Sequence, residues 1–93
     1  MTTRTKEFDY DGRTLNVTAT FDSGEWRVRV LENGNPANQI VYSVSGLTEF
    51  DARMSLGVDC VSSLIEIAEK DFVVWSDWLK REQEGARREI GSE

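Results

Sequence analysis

The stretch TEFDARMSLGVDCVSSLIEIAEKDFVVWSDWL, residues 48–79, decides the fold. Phe50, Met54, Val58, Val61, Ile65 and Ala68 recur along it at steps of four, four, three, four and three, and Leu64 widens the stripe. Spacing of this kind predicts an amphipathic helix with one apolar face. Thr48 can cap its start, and Glu49 and Asp51 in the first turn suit the positive end of the helix dipole. Phe72, Trp75 and Leu79 carry the stripe onward in phase. Gly57 falls within it and reads as a close approach to a bulky residue such as Trp26, with a kink as the alternative.

A straight helix from Thr48 to Leu79 would be about 48 Å long. Strands of the length this chain allows span about 20–30 Å. The helix therefore overruns any sheet it covers. It bends or splits near Lys70-Asp71 and folds back, or its overrun meets another chain, or Phe72-Val73-Val74-Trp75 forms a strand instead.

The preceding half of the chain alternates. Phe8 and Tyr10 share one face, then Leu15, Val17, Ala19 and Phe21, then Trp26, Val28 and Val30, then Ile40, Tyr42 and Val44. Asp11-Gly12, Asp22-Ser23-Gly24-Glu25 and Asn33-Gly34-Asn35-Pro36 punctuate these runs as turns. The prediction is an α+β domain: a four-stranded antiparallel β-meander (Lys6–Asp11, Arg13–Phe21, Trp26–Glu32, Gln39–Val44) followed by a long C-terminal helix packed on one sheet face. Residues 1–84 form a single compact domain, and residues 85–93 are expected to be a flexible charged tail. In outline this order resembles small bacterial domains and the sheet-plus-helix folds of single-strand-binding coactivators, an outline that carries no site residue.

The 93 residues contain no histidine and one cysteine, Cys60. Zinc and copper sites, Cys-His nucleophiles and Ser-His-Asp triads all need more than that from one chain. Glycine-rich phosphate loops are missing too. We therefore expect no catalytic residues, no metal and no cofactor. A carboxylate enzyme or a ligand pocket between sheet and helix would require an unusual pocket that nothing in the sequence marks. A lone cysteine without a signal peptide or an apolar segment of membrane-spanning length suits a cytoplasmic protein with no membrane contact.

The net charge of −6 is unevenly placed. Residues 1–31 and 80–93 each balance, whereas residues 32–79 set two basic residues against eight acidic ones. An acidic helical face opposes phosphate backbones and suits either solvent or a basic partner.

Beside the first helical stripe lies a second: Cys60, Leu64, Ile67, Val74 and Trp78, with Asp71 in the gap. This approaches a heptad seam with one polar interruption. A helix on a sheet buries one face, so a second apolar face needs its own cover. That cover is a returning segment of the same chain or a protein partner, a second copy included. The candidate partner interface is Leu64, Ile67, Val74, Trp75 and Trp78, aromatic anchors being favoured in interface cores. The leading expectation is a small, soluble, non-enzymatic protein-interaction domain that self-associates or binds a partner through its C-terminal helix. The alternative is a single-stranded nucleic-acid-binding module that uses Arg13, Arg27 and Arg29 on the outer sheet face.

Overall fold

Three two-residue turns shape the sheet. Asp11-Gly12, Ser23-Gly24 and Asn33-Gly34 each place both residues at positive φ, between 53° and 82°. That is the tight hairpin geometry whose twist matches the flanking strands, and it is why glycine recurs at the second position. The computed structural model describes residues 2–91, and of residues 86–91 the backbone alone. Its elements are β1 (Thr2–Tyr10), β2 (Arg13–Asp22), β3 (Glu25–Glu32), β4 (Asn35–Pro36), β5 (Tyr42–Ser45), α1 (Gly46–Leu56) and α2 (Cys60–Gly91).

The sheet runs β1-β2-β3 with antiparallel pairing throughout. Both β4 and β5 pair with the far edge of β3, β4 opposite Leu31 and Glu32 and β5 opposite Glu25 to Val28. Of the fourth strand expected over Gln39–Val44 only residues 42–44 are strand, and Asn35-Pro36, expected as a turn, forms a short strand of its own. Pro36 has no N–H to continue a ladder. Ala37 still donates to the Val30 carbonyl at 2.9 Å, and the chain then leaves the sheet until Tyr42. Ile40, assigned by its spacing to the core face, lies in this excursion and is exposed.

The α+β architecture of meander and long helix holds, and α2 covers one sheet face. Leu15, Val17 and Ala19 of β2, Val28 and Val30 of β3, and Val61, Ile65, Ala68 and Phe72 of α2 form the buried core. Burying each of the larger of these side chains stabilises the fold by about 1.5–3 kcal/mol. Phe72 sits edge-on to Phe8 and to Tyr10, with ring centroids 5.9 Å apart in both pairs.

Polar contacts fix the helix along its length. Arg4 reaches both Asp59 carboxylate oxygens at 3.2 Å, and Lys6 Nζ lies 3.1 Å from Glu69 Oε1, an ion contact without hydrogen-bond alignment. The Tyr10 hydroxyl donates to Asp77 at 2.5 Å and the Tyr42 hydroxyl to Asp71 at 2.6 Å. Lys80 pairs with Asp11 at 2.7 Å. The even-numbered residues of β1 therefore meet α2 in sequence order, and the strand and helix run side by side.

The helical region divides, but not at Lys70-Asp71, where α2 is continuous. Phe72-Val73-Val74-Trp75 is helix, not strand. The break lies at residues 57–59. Gly57 adopts the left-handed conformation (φ 66°), and α1 is closed by the Gly57 N–H donating to the Arg53 carbonyl at 3.1 Å and the Val58 N–H to the Ala52 carbonyl at 3.3 Å. Nothing lies within 4 Å of where its Cβ would be, so the close approach expected of it does not occur. Asp59 then caps α2, accepting from the Ser62 N–H at 3.1 Å. The start of α1 is also earlier than expected: Ser45 is the cap and accepts from the Thr48 N–H at 3.0 Å. At the other end, the α2 backbone continues to Gly91. The charged tail expected over residues 85–93 falls mostly outside the described side chains.

Candidate functional site

With the core face of α2 assigned, the rest of its surface divides cleanly. On the side toward β5, Leu64 packs against the core and Cys60 is half-buried. Asp71, in the gap of the seam, is used by Tyr42. Desolvation, and then the bond to Asp71, push the Tyr42 hydroxyl up to about 12. The N-terminal part of the heptad-like seam is thus covered within the chain by β5, with a small groove of about 290 Å³ between Val44, Val58 and Leu64.

The remainder is not covered. Ile67 is 46% exposed, Val74 60%, Trp75 42% and Trp78 50%. Four of the five residues predicted as a partner interface therefore form an exposed apolar strip along α2. Leu64, the fifth, belongs to the core margin. No segment among the described residues folds back over the strip. It persists because a helix on a sheet buries one face: Val61, Ile65, Ala68 and Phe72 occupy that face, and the strip lies on another flank of the same turns.

A second exposed apolar surface was not anticipated. Leu47, Phe50, Met54 and Leu56 of α1, and Val58 after it, are 42–76% exposed. The sequence reading placed Phe50, Met54 and Val58 in the lid over the sheet. The break at Gly57 turns α1 across the end of the sheet instead, and Glu49 becomes its buried side chain. Gly57 followed by Asp59, with Ser62 three residues on, is the end-and-start signal that would have shown this.

Beside α1 is an open cleft of about 480 Å³ whose lining includes Arg4, Phe21, Trp26, Glu49, Phe50 and Arg53. Its charges are internally matched. Arg53 faces Glu49 at 3.7 Å, and Arg4 is held by Asp59 and Ser62. Arg4, helped by two hydrogen bonds from Ser62, draws the Asp59 carboxyl down to about 2.

The three arginines of the nucleic-acid alternative do not converge. Arg13 lies on the helix side of the sheet, bound to Glu32 through two hydrogen bonds of 2.9 and 2.7 Å and 6.0 Å from the Phe72 ring. Arg27 pairs with Glu25 at 2.8 Å, and Arg29 reaches the Asn38 carbonyl at 3.4 Å from a half-buried position. On the outer face they stand among Thr18, Thr20 and Asn16, with no aromatic ring of the sheet beside them.

Fold and strip together define a small α+β domain in which a helix longer than its sheet presents an uncovered apolar flank. Comparison with protein-family models, curated proteins and solved structures found no match. Among the described residues, no helix is long and apolar enough to cross a membrane.

Proposed function

We propose that this chain is a non-enzymatic protein-interaction domain that self-associates through the exposed strip of α2. The observation that carries the reading is the exposure of Ile67, Val74, Trp75 and Trp78 on one flank of a helix whose other apolar face is fully used. Large apolar patches on a soluble chain mark interaction sites, and tryptophans anchor such contacts at low entropic cost. The unpaired Cys60 suits a reducing cytoplasmic location.

Sedimentation velocity at micromolar concentration tests it. The wild-type chain should sediment as a dimer. Trp78→Ala should shift it to monomer while leaving the far-UV circular dichroism unchanged and, at dilutions where both chains are monomeric, the unfolding midpoint nearly so, because Trp78 is half exposed and outside the core. A wild-type chain that remains monomeric up to high micromolar concentration would overturn the reading.

A further inference from the structure

Next to the strip, on the flank of α2 toward the edge strand β1, Glu66, Lys70, Asp77 and Arg81 follow one another at steps of four, seven and four. At the helical period this is a single row with charges alternating in sign. Elsewhere among the described side chains Arg4, Lys6, Arg13, Arg27, Arg53 and Lys80 face a carboxylate, and Arg29 reaches a backbone carbonyl. In this row Glu66, Lys70 and Arg81 enter no ion pair among the described residues. Among the described residues Arg81 reaches only the Asp77 carbonyl, at 3.5 Å, and Asp77 accepts from the Tyr10 hydroxyl at Oδ1.

The row is complementary to itself when reversed. If two copies of α2 lie antiparallel with Glu66 of one opposite Arg81 of the other, Lys70 falls opposite Asp77, because both pairs share a midpoint between Val73 and Val74. The two-fold symmetry makes each pair twice. A slide of one turn in one direction sets Lys70 against Arg81. A slide in the other sets Glu66 against Asp77. The charges thus select one register out of three. In that register Val74 packs near its own copy and Ile67 lies within a turn of Trp78 from the second copy, so the exposed strips cover each other.

From this we infer that the partner of the strip is a second copy of the chain, bound through antiparallel pairing of α2 about Val73-Val74. The inference rests on self-association through the strip and adds its orientation and register. Charge reversal tests the register. Glu66→Arg and Arg81→Glu, each alone, should weaken the dimer about tenfold in sedimentation equilibrium, and the double variant should restore it. A second measurement does not depend on charge. In a Cys60→Ser background, Val74→Cys should form disulfide-linked dimers on oxidation. Ser63→Cys should not, its two copies being about 31 Å apart along the paired helices. A double variant as weak as the singles, or cross-linking through Ser63→Cys, would overturn the register. In that case, loss of the dimer in Trp78→Ala would leave the strip as the interface. A dimer lost in Met54→Gln but kept in Trp78→Ala would move the contact to α1 and overturn both.

Discussion

Gly57→Ala separates a continuous helix from two helices by the sign of its effect. In a helix running through residue 57, replacing glycine by alanine stabilises the protein by about 1 kcal/mol. In the structure Gly57 has φ 66° and ψ 22° and terminates α1. An L-residue held there costs about 1–2 kcal/mol, from the contact of its own Cβ with the neighbouring carbonyl oxygen. Nothing outside the local backbone adds to this or offsets it, since no atom lies within 4 Å of the new methyl group. The two readings therefore differ by about 2–3 kcal/mol, well outside the error of a measured difference in stability.

Urea unfolding followed by circular dichroism, with a thermal scan alongside, gives the answer. For a domain of this size a loss of about 1 kcal/mol lowers Tm by about 4–8 °C. Gly57→Asn provides the internal control. Asparagine tolerates the left-handed region better than alanine but is the poorer helix former. The structure requires the order Gly, then Asn, then Ala in falling stability. A stabilised Gly57→Ala, or Ala more stable than Asn, would refute the break between α1 and α2.

Phe72→Ala removes a side chain that is 2% exposed and touches both Phe8 and Tyr10, and should cost about 3–5 kcal/mol in urea unfolding, whereas Val74→Ala, 60% exposed, should stay within about 0.5 kcal/mol in the monomer. Both tyrosines of the chain are held protonated, Tyr10 chiefly by its bond to Asp77 and Tyr42 by burial followed by its bond to Asp71. An ultraviolet titration should therefore show no tyrosinate step at the ordinary value near 10, and a normal step there would count against both contacts. Raised values stabilise the folded state below the unfolded pKa of 10.0, so stability should fall as pH climbs from there toward about 12, and less steeply in Tyr42→Phe. At the acid end Asp59 has the opposite sign: its contribution is complete above 3.8 and disappears as pH falls through about 2, an effect that Asp59→Asn should remove from the acid unfolding curve.

The hairpins were legible because their turns demand a backbone few residues adopt. Asp-Gly, Ser-Gly and Asn-Gly announce positive φ twice in succession, and the alternation on either side then sets the register of β1, β2 and β3. The core face of α2 was legible for a similar reason, since Val61, Ile65, Ala68 and Phe72 keep helical phase against a sheet of known polarity. The break at Gly57 was obscured by coincidence of phase. Phe50, Met54, Val58 and Val61 keep spacings of three and four across residues 57–59, which are not helical, so periodicity alone ran through them. The cap residues carried the contrary signal, and they act through single hydrogen bonds that a hydrophobic pattern does not register. The late start of the fourth strand was hidden likewise: Ile40, Tyr42 and Val44 alternate, but the N–H lost at Pro36 precedes them. As for the strip, its residues were readable while its exposure was not, because whether a second face is covered depends on where the rest of the chain ends up.

The electrostatics bear on which partner fits. Residues 32–79 hold the whole net charge, which in sequence reads as an acidic face open to any basic protein. In the fold six of the eight acids are used internally: Glu32 by Arg13, Glu49 by Arg53, Asp59 by Arg4, Glu69 by Lys6, Asp71 by Tyr42 and Asp77 by Tyr10. Four of these bind α2 or its cap to the sheet, so the surplus on the helix answers Arg4 and Lys6 on β1. Of the two left, Asp51 is on α1 and Glu66 begins the alternating row. Beside the strip a basic protein would thus meet Lys70 and Arg81 as well as Glu66 and Asp77. A surface with matched numbers of both signs, ordered as minus, plus, minus, plus, is poor at attracting a uniformly charged partner from a distance. It is well suited to fixing the register of a partner carrying the same row reversed. The apolar strip then supplies the affinity and the charges choose the alignment.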